Sequence, residues 1–258
     1  MPVLLGALAD SEPQIRLTVC GLLKQMGPAA RPAQDAMRKA ALSDGTEDVR
    51  ICAIESLVAM GATGQPTIAT LEKILLNDPS SVVKTSAMSA LERQDQSIKT
   101  TLPILEKALC RKDPRLREAT ARFLIKLGGR VVPVLSRALK HTSSDCRETA
   151  ARALGRLSPF PFSALASLRL ALGDSDGRVR AAAAEALGLV GPRASSVIPH
   201  LRDLLLKDKE PLVRTAAAVA LGRMGKRGGG VWEALKKGVH DDNPGVRAAA
   251  GAAMDQVH

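Results

Sequence analysis

The segment Asp208-Lys-Glu-Pro-Leu-Val-Arg214, which continues as Thr215-Ala-Ala-Ala-Val-Ala-Leu-Gly222, carries the clearest structural signal in this chain of 258 residues. Pro211 breaks the Leu-rich run that ends at Asp208, and the apolar residues after it follow the i, i+3, i+4, i+7 spacing of an amphipathic helix. The segment therefore predicts a turn that leads into an Ala-rich helix.

The same motif recurs along the whole chain: an acidic residue, five residues of turn and helix entry, and then a basic residue. Its basic residues are Arg16, Arg50, Lys84, Arg117, Arg147, Arg180, Arg214 and Arg247, and its acidic residues are Asp10, Asp44, Asp78, Asp174, Asp208 and Asp241. Successive basic residues lie 34, 34, 33, 30, 33, 34 and 33 positions apart. A nearly fixed period of this length is the signature of a repeat protein.

Each repeat contains two predicted helices. Helix A is Leu-rich and has a Pro near its start, as in Pro103-Ile-Leu-Glu-Lys-Ala-Leu109;. Helix B follows the Asp-containing turn and has the pattern V-R-x-x-A-A-x-A-L-G-x-x-G, clearest at Val179–Gly191 and Val213–Gly225. The expected helix-B ends share a glycine, the residue that adopts a left-handed cap at least cost: Gly27, Gly61, Gly128, Gly191 and Gly225;.

Units of this size cannot bury their own apolar stripe, so they have to stack on one another. We predict an all-α fold, an α-solenoid of about eight two-helix repeats that forms a single domain over residues 1–258. The approximate repeat boundaries are 1–27, 28–61, 62–95, 96–128, 129–158, 159–191, 192–225 and 226–258. Small residues such as Ala182, Ala183, Ala216 and Ala217 would let neighbouring backbones approach, with Leu187 and Leu221 filling the remaining space.

Composition supports this prediction and limits the function. Apolar residues make up 45% of the chain, but aromatic residues only 2% with no Tyr, so the core must consist of Leu, Ala, Val and Ile. The apolar runs are far shorter than the roughly 20 residues of a membrane span, and the N-terminus lacks a signal layout. A cytoplasmic location without membrane association is therefore expected. The formal net charge of +11 indicates an anionic partner only if the charge is concentrated in one place;.

The cysteines and histidines show no pattern of a metal site or an active site. Cys20, Cys52, Cys110 and Cys146 occur singly, without a C-x-x-C pair, and His141, His200, His240 and His258 are scattered. We expect the cysteines to be small buried residues in a reducing compartment. No cofactor, metal or catalytic residue is predicted, and the protein is not expected to be an enzyme.

The complete string D-x-x-P-x-V-R-x-x-A-A-x-A-L-G resembles HEAT repeats, specifically the short HEAT-like type first described in phycobilin lyases. The tetratricopeptide and ankyrin patterns do not fit, because the chain has no Tyr and no Thr-Pro-Leu-His opening. The resemblance is strongest in the last three repeats. The fourth and fifth depart from it, since Arg111 and His141 occupy the Asp position, where Asp113 and Asp145 could substitute from shifted positions.

This resemblance implies a structural role for the motif. In HEAT-like families the turn Asp and the helix-B Arg pair across neighbouring repeats and form a ladder that fixes the stacking angle. An Asp near a helix N-terminus beside a guanidinium is also favourable in itself. The alternative is a row of eight basic residues that binds a ligand.

A separate basic surface is predicted on helix B, which lines the concave face of such solenoids. Residues five and nine positions after the motif base share an exposed face, because helical neighbours lie three or four residues apart. In the third to fifth repeats these positions are basic: Arg93, Arg122, Lys126, Arg152 and Arg156. Stacking would unite them in one candidate patch. An ordinary solvated face is equally open, since Glu118 and Glu148 precede two of these arginines by four residues;.

The predicted function is a non-catalytic protein–protein interaction scaffold that binds a partner with an acidic segment on this face. Binding of a nucleic-acid backbone is one alternative, although Phe123, Phe160 and Phe162 fall in or beside core positions and leave no aromatic for base stacking. Bilin-lyase-like enzyme or chaperone activity is another, but no acid/base cluster can be assembled from these residues.

The chain ends lack the polar caps that solenoids normally need, since residues 248–253 are nearly all small and apolar;. We therefore expect either a longer protein or an end that packs on something, for example by self-association with a second copy.

Overall fold

The computed structural model describes residues 1–93, 98–225, 228 and 230–257. Its chain forms two compact units, Met1–Thr120 (the first unit) and Ala121–His258 (the second unit). Across the described residues the secondary structure is helical, without a strand, which confirms the all-α prediction. The predicted repeat limits at 95, 96, 226 and 258 fall outside these residues, and the single-domain arrangement stays a prediction.

Helices alternate between the two predicted kinds, so that odd-numbered helices are helix A and even-numbered helices are helix B. The first unit contains α1 (Pro2–Ala7), α2 (Pro13–Met26), α3 (Gln34–Ser43), α4 (Glu47–Ala59), α5 (Gln65–Asn77), α6 (Ser81–Glu92), α7 (Ile98–Leu109) and most of α8 (Pro114–Lys126). A 3-10 helix, Gly27–Ala33, precedes α3.

In the second unit the same alternation continues. It contains α9 (Val132–Ala138), α10 (Ser144–Gly155), α11 (Leu165–Ala171), α12 (Gly177–Val190), α13 (Ile198–Lys207), α14 (Pro211–Arg223), α15 (Val231–Gly238) and α16 (Pro244–Met254). The 3-10 helices Gly128–Val131, Phe162–Ala164 and Gly191–Val197 precede three of the helix-A segments.

Local sequence explains where most helices begin and end. Ser80, Asp176 and Asn243 accept backbone N–H groups at the starts of α6, α12 and α16, which satisfies donors that lack a partner within the helix;. The five glycines predicted to end helix B all have positive φ, between 55° and 68°. The glycines thus mark the ends of helix B as predicted, but Gly27 and Gly191, with ψ of −129° and −145°, do not adopt the left-handed helical cap.

One predicted helix start is wrong. Helix α7 begins at Ile98 rather than at Pro103, which lies inside the helix. A proline at this position removes one backbone hydrogen bond. Ile104, Leu105 and Leu109, which follow the proline, have buried side chains that anchor α7 in the core.

The core consists of small and branched aliphatic side chains. Ala182, Ala183, Ala217, Leu187 and Leu221 are fully buried, as predicted for helix B. Phe123 is buried as well, whereas Phe162, which was predicted to fall in or beside a core position, is 44% exposed. None of the helices in the described part of the chain is long and apolar enough to cross a membrane.

Candidate functional site

The motif arginine holds two turns together, as Arg180 shows. Its Nε and Nη2 donate to the two carboxylate oxygens of Asp208 at 2.7 and 2.8 Å, and Asp208 belongs to the turn of the next repeat. Its Nη1 donates to the backbone carbonyls of Asp174 and Ser175 in its own turn. Asp208 also accepts the backbone N–H of Glu210. Each partner is thereby bonded both within its own turn and across to the neighbouring repeat.

The same bidentate pairing recurs within each unit. In the first unit Arg16 pairs with Asp44 and Arg50 pairs with Asp78, while in the second unit Arg147 pairs with Asp174 and Arg214 pairs with Asp241. All these side chains are mostly buried, with exposed fractions of 15% or less. Bidentate, partly desolvated pairs of this kind are stronger than ordinary surface ion pairs.

Electrostatics follows from this pairing. The Arg16 guanidinium holds the pKa of Asp44 below the ordinary value of 3.8, and Arg214 does the same to the pKa of Asp241. The pKa values of both arginines are raised in turn, mainly by the same hydrogen bonds. These guanidinium groups are therefore engaged and contribute little free positive charge.

Residues that depart from the motif keep part of the same bonding. Asp113 is the acceptor for Lys84, at 3.5 Å, and for the hydroxyl of Ser81, at 2.6 Å. His141, at an Asp position, accepts the backbone N–H of Ser143 on Nδ1. A neutral imidazole nitrogen can replace a carboxylate oxygen in this local bond.

Three remaining predicted residues bond within their own turns. Nη1 of Arg117 donates to the carbonyls of residues 111 and 112, and Nη1 of Arg247 donates to those of residues 241 and 242. Asp10 accepts the backbone N–H of Glu12. Asp145 lies 3.1 Å from Nη1 of Arg178.

A surface groove lies between α10, α12 and α14 in the second unit, and we call it the helix-B groove. Its volume is about 470 Å³, and its lining residues are Arg152, Arg156, Ala182, Glu185, Ala186, Leu189, Leu212, Thr215, Ala216, Val219 and Arg223. Six of them lie five or nine positions after a motif base in these repeats: Arg152, Arg156, Glu185, Leu189, Val219 and Arg223. The groove thus occupies the exposed face of helix B.

Apolar and positively charged groups alternate in this groove. Leu189 and Leu212 are 54% and 51% exposed, which is high for large aliphatic side chains. The positive charge of Arg152 is balanced by the Glu148 carboxylate at 3.1 Å and by that of Glu185 at 4.0 Å. Arg156 and Arg223 are exposed.

Neither Arg156 nor Arg223 forms an ion pair with any residue that the structure describes. Their charges are therefore open to a ligand. Of the described lining residues only Glu185 offers a carboxylate, and the lining includes neither a histidine nor a cysteine. The groove suits binding of an anionic and apolar ligand better than metal chemistry or general acid/base catalysis.

The family profile for HEAT repeats matches residues 1–92, 68–155, 102–188 and 165–255. The chain belongs to the HEAT-repeat family. With this membership and the alternating helices, the α-solenoid architecture is shown. No curated protein sequence matches the chain significantly.

Several solved HEAT-type solenoids have a similar fold. A crystal structure of Kap121p carrying three substitutions superposes with a TM-score of 0.73 at 15% identity, covering 99% of this chain and 33% of that one. This chain therefore spans about a third of the length of that protein. The complex of CpcE and CpcF of phycocyanin lyase from a Nostoc species gives a TM-score of 0.55 at 23% identity, covering 60% of this chain and 98% of that one. At such identities the likeness concerns the fold alone.

Within the HEAT repeats, the five residues of the predicted basic patch are all exposed but belong to different units. Arg93 lies in the first unit, where it lines a second groove with Val58 and Val82. Arg122 and Lys126 lie on α8, and Arg152 and Arg156 lie on α10. The five-residue patch therefore stays a prediction, and only its last two members line the helix-B groove.

Sequence reasoning missed Arg223 and Leu212 as members of this site. Arg223 lies nine positions after Arg214, so the helical spacing could have found it. Leu212 precedes its motif base and gives no signal by charge. Outside the groove, the ring of Phe162 packs beneath the guanidinium of Arg193 at 4.3 Å on the surface, a contact that the sequence did not indicate;.

Proposed function

We propose that this HEAT-repeat protein is a non-catalytic scaffold that binds a segment of another protein in the helix-B groove of the second unit. The partner segment would carry acidic residues for Arg156 and Arg223 and an apolar side chain for the surface between Leu189 and Leu212. The observation that carries the proposal is the presence of two exposed arginines, without ion pairs in the described chain, beside two half-exposed leucines.

Energetics favours such a mixed ligand over a purely charged one. Exposed ion pairs contribute only about 0–1 kcal/mol, so two arginines alone would hold a peptide weakly. Burial of exposed leucine surface adds about 25 cal/mol per Å². An acidic segment with an apolar anchor would use both sources of binding free energy.

The motif arginines support this assignment by contrast. Their guanidinium groups are already bonded to aspartates and backbone carbonyls, so we assign the ladder to repeat stacking and not to ligand binding. The same contact between neighbouring repeats recurs along the chain, which explains why the residue types at the motif Arg and Asp positions are so uniform. The groove residues, which vary from repeat to repeat, are free to serve recognition.

A peptide selection tests the proposal directly. Random short peptides selected on the full chain should be enriched in Asp or Glu next to Leu, Ile or Phe. The double variant Arg156→Glu/Arg223→Glu should weaken binding of the selected peptides at least about tenfold, equivalent to about 1.4 kcal/mol. Selection of peptides without acidic residues, or equal binding by the variant, would count against the proposal.

A matched control separates a local effect from a change in net charge. Arg115 and Arg169 are exposed and do not line the groove, so Arg115→Glu/Arg169→Glu changes the charge equally and should leave peptide binding intact. Titration with duplex and single-stranded DNA across a salt series tests the competing class. Tight DNA binding that falls steeply with salt and is lost in the groove variant would favour a nucleic-acid partner instead.

A further inference from the structure

Two cysteines meet across the contact between α2 and α4 in the first unit. Cys20 on α2 is fully buried, whereas Cys52 on α4 is half-buried, and neither is part of a disulfide. The two thiols lie close enough for each to shift the pKa of the other. The expectation of four small buried cysteines in a reducing compartment is therefore wrong for Cys52, which is only half-buried, and for Cys110 and Cys146, which are disulfide-bonded.

Backbone geometry shows that the two helices approach closely at this point. The Ser56 hydroxyl oxygen lies 2.7 Å from the carbonyl oxygen of Cys52 on its own helix and 3.1 Å from that of Cys20 on the other. One side-chain atom thus reaches both backbones. The Cys20 sulfur is enclosed by the Ser56 oxygen and the Met37 sulfur, each at 3.7 Å. A disulfide requires such a close approach of two backbones.

The repeat register shows what is particular about this pair. Cys20 lies four positions after Arg16, and Cys52 lies two positions after Arg50. In the second unit, the residues four after Arg180 and two after Arg214 are Ala184 and Ala216, and both are buried. Alanine therefore satisfies the packing requirement of these positions. The thiols add reactivity that packing does not need.

The surroundings divide the two thiols into a reactive one and a protected one. The neighbouring Cys20 thiol lowers the pKa of Cys52 to about 7, and Ser56 and Lys24 act in the same direction. Burial and Glu55 oppose this shift without cancelling it. The neighbouring Cys52 thiol and burial raise the pKa of Cys20. A partly exposed thiolate is the form that attacks small oxidants, and an adjacent thiol resolves the product.

We propose that Cys52 and Cys20 are a site of reversible oxidation by hydrogen peroxide, with Cys52 as the sulfur that attacks the peroxide and Cys20 as the resolving thiol. The Cys52 thiolate attacks one peroxide oxygen, the O–O bond breaks, and a sulfenic acid and hydroxide form. The Cys20 sulfur then attacks the sulfenic sulfur, the S–O bond breaks, and the Cys20 proton leaves with the departing hydroxide as water. Overall, two thiols lose two electrons and one peroxide is reduced.

Peptide mapping of the full chain after treatment with hydrogen peroxide tests this site. Alkylation followed by digestion without reductant should give a peptide pair linked through Cys20 and Cys52, which disappears after treatment with dithiothreitol. Cys110 and Cys146, which are already disulfide-bonded, should give linked peptides with and without peroxide and are the internal control in the same map. Continued alkylation of Cys52 after peroxide treatment, or linkage of Cys52 to any other cysteine, would overturn the proposal.

Single variants establish the order of the two steps. Cys20→Ser should stop the reaction at the sulfenic acid, so that dimedone labels Cys52 in this variant, whereas Cys52→Ser should give no linked peptide and no dimedone label at Cys20. Absence of a dimedone adduct in the Cys20→Ser protein would contradict the assigned roles. Circular dichroism of both variants verifies that they are folded.

Discussion

The contacts between successive helix-B segments differ between the two units, although the repeats have the same plan. Eight positions after the motif base, three repeats of the second unit have a glycine, namely Gly155, Gly188 and Gly222, whereas the first unit has Lys24, Val58 and Glu92. A Cβ atom added to Gly188 would lie 2.9 Å from the Cα of Ala220. The backbones of α12 and α14 therefore touch, with no room for a side chain between them.

The first unit has side chains at the same place and uses them differently. Lys24 reaches across to Glu55 at 2.7 Å, and Val58 lines a surface groove. Both units nevertheless have the paired Arg and Asp of the motif. The comparison indicates that the ladder sets the register between repeats, whereas the size of the residue between helix-B segments sets how closely they pack.

The largest expected effect comes from filling the tight contact of the second unit. Gly188→Leu should destabilise the protein by about 3 kcal/mol, because overpacking forces backbones apart. Val58→Leu, at the equivalent position in the first unit, should cost less than about 1 kcal/mol. Urea unfolding followed by circular dichroism measures both changes. Equal effects of the two substitutions would show that the units pack alike.

The next largest effect compares two joints of the ladder. Arg180→Ala removes a bidentate guanidinium from the buried Asp208 carboxylate and should cost about 3 kcal/mol. Lys84→Ala removes a single contact of 3.5 Å to Asp113, and should cost about 1 kcal/mol. Thermal unfolding of both variants against the wild type checks the order. A larger loss from Lys84→Ala would contradict the assigned strength of the arginine joints.

Acid should weaken the ladder in both units. The pKa values of Asp44 and Asp241 are lowered in the folded state by Arg16 and Arg214, so their stabilisation is present above the unfolded pKa and is lost as the pH falls through the lower folded pKa. The free energy of unfolding should therefore fall as the pH drops below about 4. Urea titrations at a series of pH values measure this slope. Arg214→Ala should make the dependence of the unfolding free energy on pH shallower. An unchanged slope in this variant would show that the Arg214–Asp241 pair does not cause the pH dependence.

The smallest expected effect concerns the helix-B groove. Arg156→Ala and Arg223→Ala should each change the free energy of unfolding by less than about 0.5 kcal/mol, because both side chains are exposed. Differential scanning calorimetry measures this change. The same variants should weaken binding of a selected peptide, while Arg93→Ala in the groove of the first unit should not. A loss of stability above that limit would assign these arginines to the fold.

Most of the fold could be predicted because it depends on short, periodic signals. The spacing of the motif bases gave the repeat, and glycines such as Gly191 marked helix ends through a backbone conformation that few other residues adopt. The ion-pair partners followed from the family resemblance and not from spacing. Pro103 gave a wrong start for α7, because the burial of residues farther along this helix outweighs the local preference of proline for a helix start.

The candidate site was harder to predict because it depends on which helices lie side by side. Helical spacing and charge pointed to Arg152 and Arg156, but Leu212 lines the same groove because α14 packs against α12. The close approach of these helices at Gly188 and Ala220 is not revealed by any local pattern. The contact of Cys20 with Cys52 likewise requires the register of two helices from different repeats.

Five arginines of the ladder each bond to their own turn and to one aspartate 27 or 28 residues farther along the chain. The contact between two neighbouring repeats is therefore transferable, because all its hydrogen-bonding groups lie within those two repeats. It does not depend on how many repeats precede it. Excision of residues 174–207, one full period, would place Asp208 where Arg147 now meets Asp174. A protein joined in this way can gain or lose whole repeats during evolution without redesign of the parts that remain.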